Sequence, residues 1–165
     1  MKKAYYAPDT GFYYEGINKG AENHIEVEFR PSNEHVLDTD TFNWIIDLNL
    51  LKIKLRNKIT NERDKRIVTG FDYNGNQIAC DDVSQANANA FLTAKTAGML
   101  SFPVKWRTVD NSILDITEME FTTFVGLMLG TVQTIFQESW VMKDQIELAT
   151  TIEEVETIYA KYIEA

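Results

Sequence analysis

The first thirty residues read as β-rich, from two aromatic runs and then from the period of two that a half-buried strand requires. In "KKAYYAPDTGFYYEG" two aromatic runs flank Asp9-Thr10-Gly11, a turn signal, so a hairpin is predicted with Tyr5, Tyr6, Phe12, Tyr13 and Tyr14 available for cross-strand pairing. "HIEVEFRP" then alternates Ile25, Val27 and Phe29 with Glu26, Glu28 and Arg30, which predicts a strand ending at Pro31. "PSNEHVLDTD" reads as a linker. From Thr41 to about Glu62 the pattern fits two elements. Trp44, Ile45, Leu48, Leu51, Leu55 and Ile59 share a helical face that Asp40 would cap, whereas "LLKIKLRNKIT" also alternates like a strand. The long run without Gly or Pro favours the helix.

"GFDYNGNQIACD" predicts a second hairpin, because Asn74-Gly75 tolerates the positive φ angles of a type I′ turn. Ser84 is then expected to cap "SQANANAFLTAKTAGM", a short helix ending at Gly98. "VKWRTVDNSILDIT" predicts a hairpin around Asp110-Asn111. Thr117 with Glu120 reads as a capping box for a long helix to about Ala149, and Thr151 with Glu154 repeats the signature before a last helix to Ile163. The fold class is therefore α+β, with hairpins packed against a few helices and a long helix followed by a short terminal one. Two units are expected: a β-rich segment over 1–36 and an α+β domain over 40–165.

The long helix carries Phe121, Phe124, Val125, Leu127, Met128, Leu129, Val132, Ile135, Phe136, Trp140, Val141 and Met142, apolar residues that cover more than one face. It is expected to be buried all round, its second face lying against this domain or against a partner chain, a second copy included. Gly126 and Gly130 predict a close helix crossing. Thr122, Thr123, Thr131, Gln133 and Thr134 make the stretch from Phe121 to Phe136 too short and too polar for a membrane span.

Composition narrows the class. With 165 residues, 44 % of them hydrophobic, the chain can bury a sizeable core. No basic and then apolar leader opens it, and a single cysteine fits a reducing cytoplasm. The net charge of −9 is uneven: residues 115–165 hold ten acids and two bases, while Lys52, Lys54, Arg56, Lys58, Arg63, Lys65 and Arg66 form a basic strip. That strip could contact nucleic acid, but the acidic balance favours a solvated face or contacts to the chain's own acidic end.

Reactive chemistry is sparse. Cys80 is followed by Asp81 and Asp82, which disfavour the thiolate that a nucleophile needs. His24 and His35 have no metal-ligand spacing to each other or to Cys80. Asp38, Asp40, Asp81 and Asp82 match no calcium-loop pattern and suit turns and caps. No phosphate-binding glycine loop, serine elbow or zinc spacing appears. No cofactor, metal or enzymatic activity is expected from these residues.

"RDKRIVTGFDYNGNQIACDDVSQANANAFLTAKTAG", "VKWRTVDNSILDIT" and "KDQIELATTIEEV" together resemble a C-terminal domain of unknown function (number 4376) that recurs in tail proteins of bacterial viruses. The positions that carry the resemblance are Arg63, Arg66, Gly70, Phe71, Tyr73, Gly75, Asp82, Ser84, Gln85, Asn87, Trp106, Thr108, Asp110, Asn111, Lys143, Ile146 and Ala149. Cys80 departs from the pattern, where an aromatic or small polar residue is usual. "MKKAYYAPDTGFYYEG" is similar to the openings of tail fibre assembly proteins. The resemblance implies a virus-encoded, non-enzymatic protein that binds a tail fibre or tail-tip protein as chaperone or adaptor, or else resides in the tail or baseplate. It would act in the host cytoplasm during assembly, or in the virion tail, with no membrane. The surface expected to meet the partner is Tyr5, Tyr6, Phe12, Tyr13, Tyr14, Ile25, Val27 and Phe29. Competing readings are a nucleic-acid-binding protein using residues 52–66, and an enzyme acting on surface glycans, for which the scattered acids offer no paired carboxylates.

Overall fold

The computed structural model describes residues 1–164. Its order is β1 (Lys3–Ala7), β2 (Phe12–Gly16), β3 (Ile25–Val27), β4 (His35–Leu37), β5 (Trp44–Ile46), α1 (Leu48–Thr69), β6 (Phe71–Tyr73), β7 (Asn76–Ile78), α2 (Asp82–Thr96), β8 (Val104–Arg107), β9 (Ile113–Ile116), α3 (Glu118–Leu148) and α4 (Ile152–Glu164). The fold is α+β, as the patterning predicts. The strands form one three-stranded sheet, ordered β2-β1-β3, and three two-stranded ribbons, all antiparallel.

Residues 41–47 depart from expectation. Trp44, Ile45 and Ile46 form β5 and pair with Leu37, Val36 and His35, so the supposed linker contains a strand. The Asp38 carboxylate accepts the amides of Asp40 and Thr41, which closes the turn between β4 and β5. The helix begins only at Leu48, and its cap is Asp47, whose Oδ1 accepts the Leu50 amide at 2.9 Å, rather than Asp40. It also runs past Glu62 to Thr69. The strand predicted through Phe29 stops at Val27, because the Glu28 carbonyl turns to accept the Trp44 indole N–H. Asp81, not Ser84, caps α2; its carboxylate takes the Ser84 amide. Both capping boxes form as expected, Thr117 with Glu120 and Thr151 with Glu154.

Two hydrophobic cores share α3. The first holds Ile67, Ile78, Cys80, Ala88, Val104, Trp106 and Ile116 around the N-terminal half of α3. Phe124 is its hub, with the rings of Tyr73 and Trp106 each 5.1 Å away and Phe71 at 6.0 Å. The second joins Leu51, Leu55 and Ile59 of α1, Ile146 of α3, and Val155 and Tyr162 of α4. Only one stripe of α3 is spent on these cores: Phe121, Phe124, Val125, Met128, Val132, Ile135, Ser139 and Ile146. Leu127, Leu129, Trp140 and Val141 stay exposed, so the helix is not buried all round. By length and composition α3 could cross a membrane, a property it shares with core helices of this kind.

Gly126 and Gly130 mark no close crossing: nothing lies within 4 Å of where a Cβ would stand. Gly70 is the constrained glycine. It ends α1 with φ 69° and ψ −133°, and a Cβ there would sit 1.8 Å from the Ile78 carbonyl oxygen. That approach joins the end of α1 to the hairpin β6–β7, and the Cys80 amide adds a bond to the Ile67 carbonyl. Gly70→Ala is expected to cost about 4 kcal/mol in chemical denaturation. Gly126→Ala, in an open helical position, should be neutral or stabilising by up to about 1 kcal/mol. Equal effects of the two changes would refute this reading of the joint.

Candidate partner-binding site

The strand register sorts the aromatic residues of the N-terminal sheet onto two faces. Tyr6 pairs with Tyr13 and Ile25, and Ala4 with Val27, so these side chains share a face. That face lies against the second hairpin: the Tyr13 ring meets Trp44 edge-on at 5.1 Å, and Tyr6 lies 6.3 Å from Phe42. The other face carries Tyr5, Tyr14, Phe12 and Glu26. Tyr5 is buried and stacks on Tyr14 at 5.4 Å; the Tyr14 hydroxyl bonds His24 Nδ1 and accepts the Gly20 amide.

The eight expected contact residues therefore divide. Tyr5 is interior, and Tyr6, Tyr13, Tyr14, Ile25 and Val27 are half-buried. Phe12 is 64 % exposed and Phe29 46 %, with Phe29 lying outside the strand. What remains for a partner is Phe12, the rim of the Tyr5–Tyr14 stack, and the outer edge of β2, which pairs with no further strand among the described residues. Unpaired strand edges accept added strands.

Residues not singled out from the sequence hold this sheet in place. Trp44 bonds the Glu28 carbonyl and takes the Arg30 guanidinium over its ring at 6.0 Å. Arg30 also donates to the carbonyls of His35 and Asn33. Glu34 is 8 % exposed, and Lys54 of α1 reaches it at 2.8 Å. The hydrogen bonds from Lys54 and Ser32 pull its carboxyl down to about 2. The Asp47 amide bonds the Glu34 carbonyl, and Ile46 enters the second core. The sheet thus hangs on the helical body through the β4–β5 hairpin. A helical reading of Trp44 hid this, since an aromatic residue beside two β-branched ones suits a strand equally well.

The residues that carry the resemblance do structural work in the body. Arg63 lies over the Phe136 ring at 4.8 Å and Arg66 over Tyr162 at 4.4 Å; Arg66 also bonds the Tyr162 carbonyl and reaches Glu138 at 3.6 Å. Gly70 is the joint already described. Phe71, Tyr73 and Trp106 surround Phe124. Asn74 and Gly75, at φ 53° and 79°, make the type I′ turn, and Asn111 at φ 68° closes the β8–β9 turn. The Thr108 hydroxyl and the Ser112 amide hold the Asp110 carboxyl down at about 2.

Most of the basic strip meets the chain's own acids. Lys54 pairs with Glu34, Arg56 with Glu147 at 2.7 Å, Arg63 with Asp64, and Arg66 with Glu62 and Glu138. Lys52 donates to the Glu147 carbonyl, and Lys58 stands over Tyr159. Among the described residues no group of three or more His, Cys, Asp and Glu side chains could hold a metal ion. Open grooves flank the body. One of about 720 Å³ lies over Gly126, Gly130 and Thr134, with Lys65, Arg66 and Ile163 at its rim. Another, of about 420 Å³, runs between β8 and the start of α2.

Cys80 is fully buried in the first core, and burial, with Asp81 nearby, pushes its thiol up to about 11. In the folded protein at pH 8 it should therefore resist an aromatic disulfide reagent, reacting at least about a hundredfold slower than in denaturant. Equal rates in both states would contradict the placement.

Comparison with curated proteins gives no match, and comparison with solved structures gives none either. A family model described as "Domain of unknown function (DUF4376)" matches residues 51–160, from the first turn of α1 into α4, and so the first core and most of the second. The sheet that presents Phe12 lies outside the matched span. With two thirds of its length covered, including the Arg63, Arg66, Gly70 and Trp106 positions that hold the body together, the chain belongs to the DUF4376 family.

Proposed function

We propose that this is a non-enzymatic protein of a bacterial virus that binds a tail fibre or tail-tip protein during assembly, as a chaperone or adaptor. The observation that carries this reading is the N-terminal sheet, a small aromatic unit with an open outer strand and an exposed Phe12, fixed to a helical body through Glu34 and Lys54. The resemblance read from the sequence alone, of the first sixteen residues to fibre assembly proteins and of the body to a domain of tail proteins, is what suggests the biological context. The physics fits such a task. An incomplete fibre end exposes strand edges and apolar surface until its oligomer closes, and an aromatic strand offered by a partner would shield them. Residence in the tail or baseplate is the variant of this reading in which the contact persists.

The nucleic-acid reading is weaker, because five of the seven cations in the strip already pair with carboxylates of the same chain. The glycan-enzyme reading is weaker as well, because the two carboxylates bordering the larger groove, Glu62 and Glu138, both reach the Arg66 guanidinium.

Co-expression with the fibre and tail-tip proteins of the same virus tests the proposal. The full chain should co-purify with one of them. Phe12→Glu should weaken that contact by about tenfold or more, and removal of residues 1–30 should abolish it. A complex that survives the deletion would overturn the assignment of the surface, and the absence of any complex would overturn the function. Mass spectrometry of purified particles separates the variants: a fixed copy number marks a resident, and absence marks a chaperone.

A further inference from the structure

The groove between β8 and α2 has a lining that is unusual for a gap between side chains. Lys105, Trp106, Arg107 and Thr108 all border it, the last three residues of β8 and the one that follows. Side chains alternate between the faces of a strand, so a cavity that touches every residue in turn is bordered by the strand's edge. The facing wall is Ala79, Asp81, Val83, Ser84 and Asn87, from the exit of β7 and the first turns of α2, with Phe91 at the floor beside Trp106.

The hydrogen-bond parity of β8 shows which of its groups face that groove. The Thr108 amide bonds the Ser112 carbonyl at 3.1 Å, so Thr108 points its backbone toward β9. Backbone direction alternates along an antiparallel strand, and Trp106 and Val104 therefore do the same. Lys105, Arg107 and Val109 point the other way. The last of these confirms the parity: the Val109 amide bonds the Gln77 carbonyl of β7 at 2.9 Å. At that bond β7 and β8 start to pair. The chain then turns away through Ala79 to Asp81, because the Cys80 amide is drawn to Ile67 and Asp81 must cap α2. The outward N–H and C=O groups of Arg107 and Lys105 are left with no strand opposite them among the described residues.

We propose that this slot is a second binding site, which takes an extended peptide segment as an added strand on the outer edge of β8, with acidic residues at alternate positions. The charges on the page select that occupant. On the solvent face of β8, Lys105 is paired with Asp115 at 2.9 Å, while Arg107 donates to the Asn111 carbonyl and has no carboxylate partner among the described residues. A strand docked beside β8 places every second side chain next to Arg107 and Lys105, where a carboxylate is favoured over a cation. Its intervening side chains face Ala79, Ser84, Asn87 and Phe91, which suit small or β-branched residues. Asp81 also borders the slot on that side, its Oδ1 taken by the Ser84 amide at 2.8 Å, and uncharged side chains meet it without repulsion. The inference lies within the DUF4376 body and does not rest on the tail-protein reading.

The test is an NMR titration of the isotope-labelled full chain with the peptide acetyl-Thr-Glu-Val-Glu-Thr-amide. Saturable shifts at the Lys105 and Arg107 amides, at micromolar to millimolar peptide, are expected, together with slower hydrogen exchange of those two amides. A peptide with both Glu replaced by Lys should bind about fivefold more weakly or not at all. Arg107→Glu should reverse that preference without changing the fold, since its side chain is exposed. A peptide methylated on its backbone nitrogens, which cannot form the ladder, should not shift either amide. The proposal is overturned if no saturable shift appears at residues 105–109, if the shifts map elsewhere, or if the methylated peptide binds equally well.

Discussion

The α3 helix, at 31 residues and so about 46 Å, is longer than either hydrophobic core it serves, and one apolar stripe must satisfy both. Its first half buries Phe121, Phe124, Val125 and Met128 among the hairpins and α2, while Ile146 near its end packs among α1 and α4. Between the cores the stripe narrows to Phe136 and Ser139, and there α1 supplies Arg63 and Arg66. Their stems and planar heads cover Phe136 and Tyr162 and reach the acidic end of the chain at Glu138. The planar guanidinium of Arg66 lies over the Tyr162 ring and still donates to the Tyr162 carbonyl. The basic strip is thus largely a seam of the fold, which accounts for a cationic helix opposite an acidic C-terminal third.

That dependence explains which parts of the fold could be read from the chain. Local devices were legible: the Asn74-Gly75 turn, the two capping boxes and the aromatic runs of β1 and β2 around their turn each require only a few neighbouring residues. The boundary at Asp47 was not. Trp44 to Ile46 are apolar at spacings that suit either element, and pairing with His35–Leu37 across a turn settled by Asp38 decided the matter. The extent of α3's burial was also hidden, because a helix apolar on several sides looks alike whether those sides are covered or bare. Gly126 and Gly130 illustrate this, since the small-residue spacing is present and the crossing is not.

The candidate site shows the same division. Its aromatic content was visible, but a period of two cannot say which face of a three-stranded sheet is covered. The hairpin that covers it, with Trp44, Phe42 and the buried Glu34, belongs to the stretch read as linker and helix. Phe12 is left as the exposed aromatic on a β strand whose outer edge is free. In the proposed function the family body is the rigid support and the N-terminal sheet is the part that presents the contact, joined by few interactions apart from Glu34–Lys54 and Ile46.

Because α3 serves both cores and the sheet is joined to them by few contacts, the body is expected to unfold as one unit while the sheet opens on its own. Hydrogen exchange followed by mass spectrometry on the free protein tests it most directly. Peptides covering residues 121–135 and 142–149 should exchange through the same global event, with the same free energy and the same sensitivity to denaturant, while residues 3–27 exchange through an opening of lower energy. Independent opening of the C-terminal half of α3, or a sheet as strongly protected as Phe124, would contradict the account.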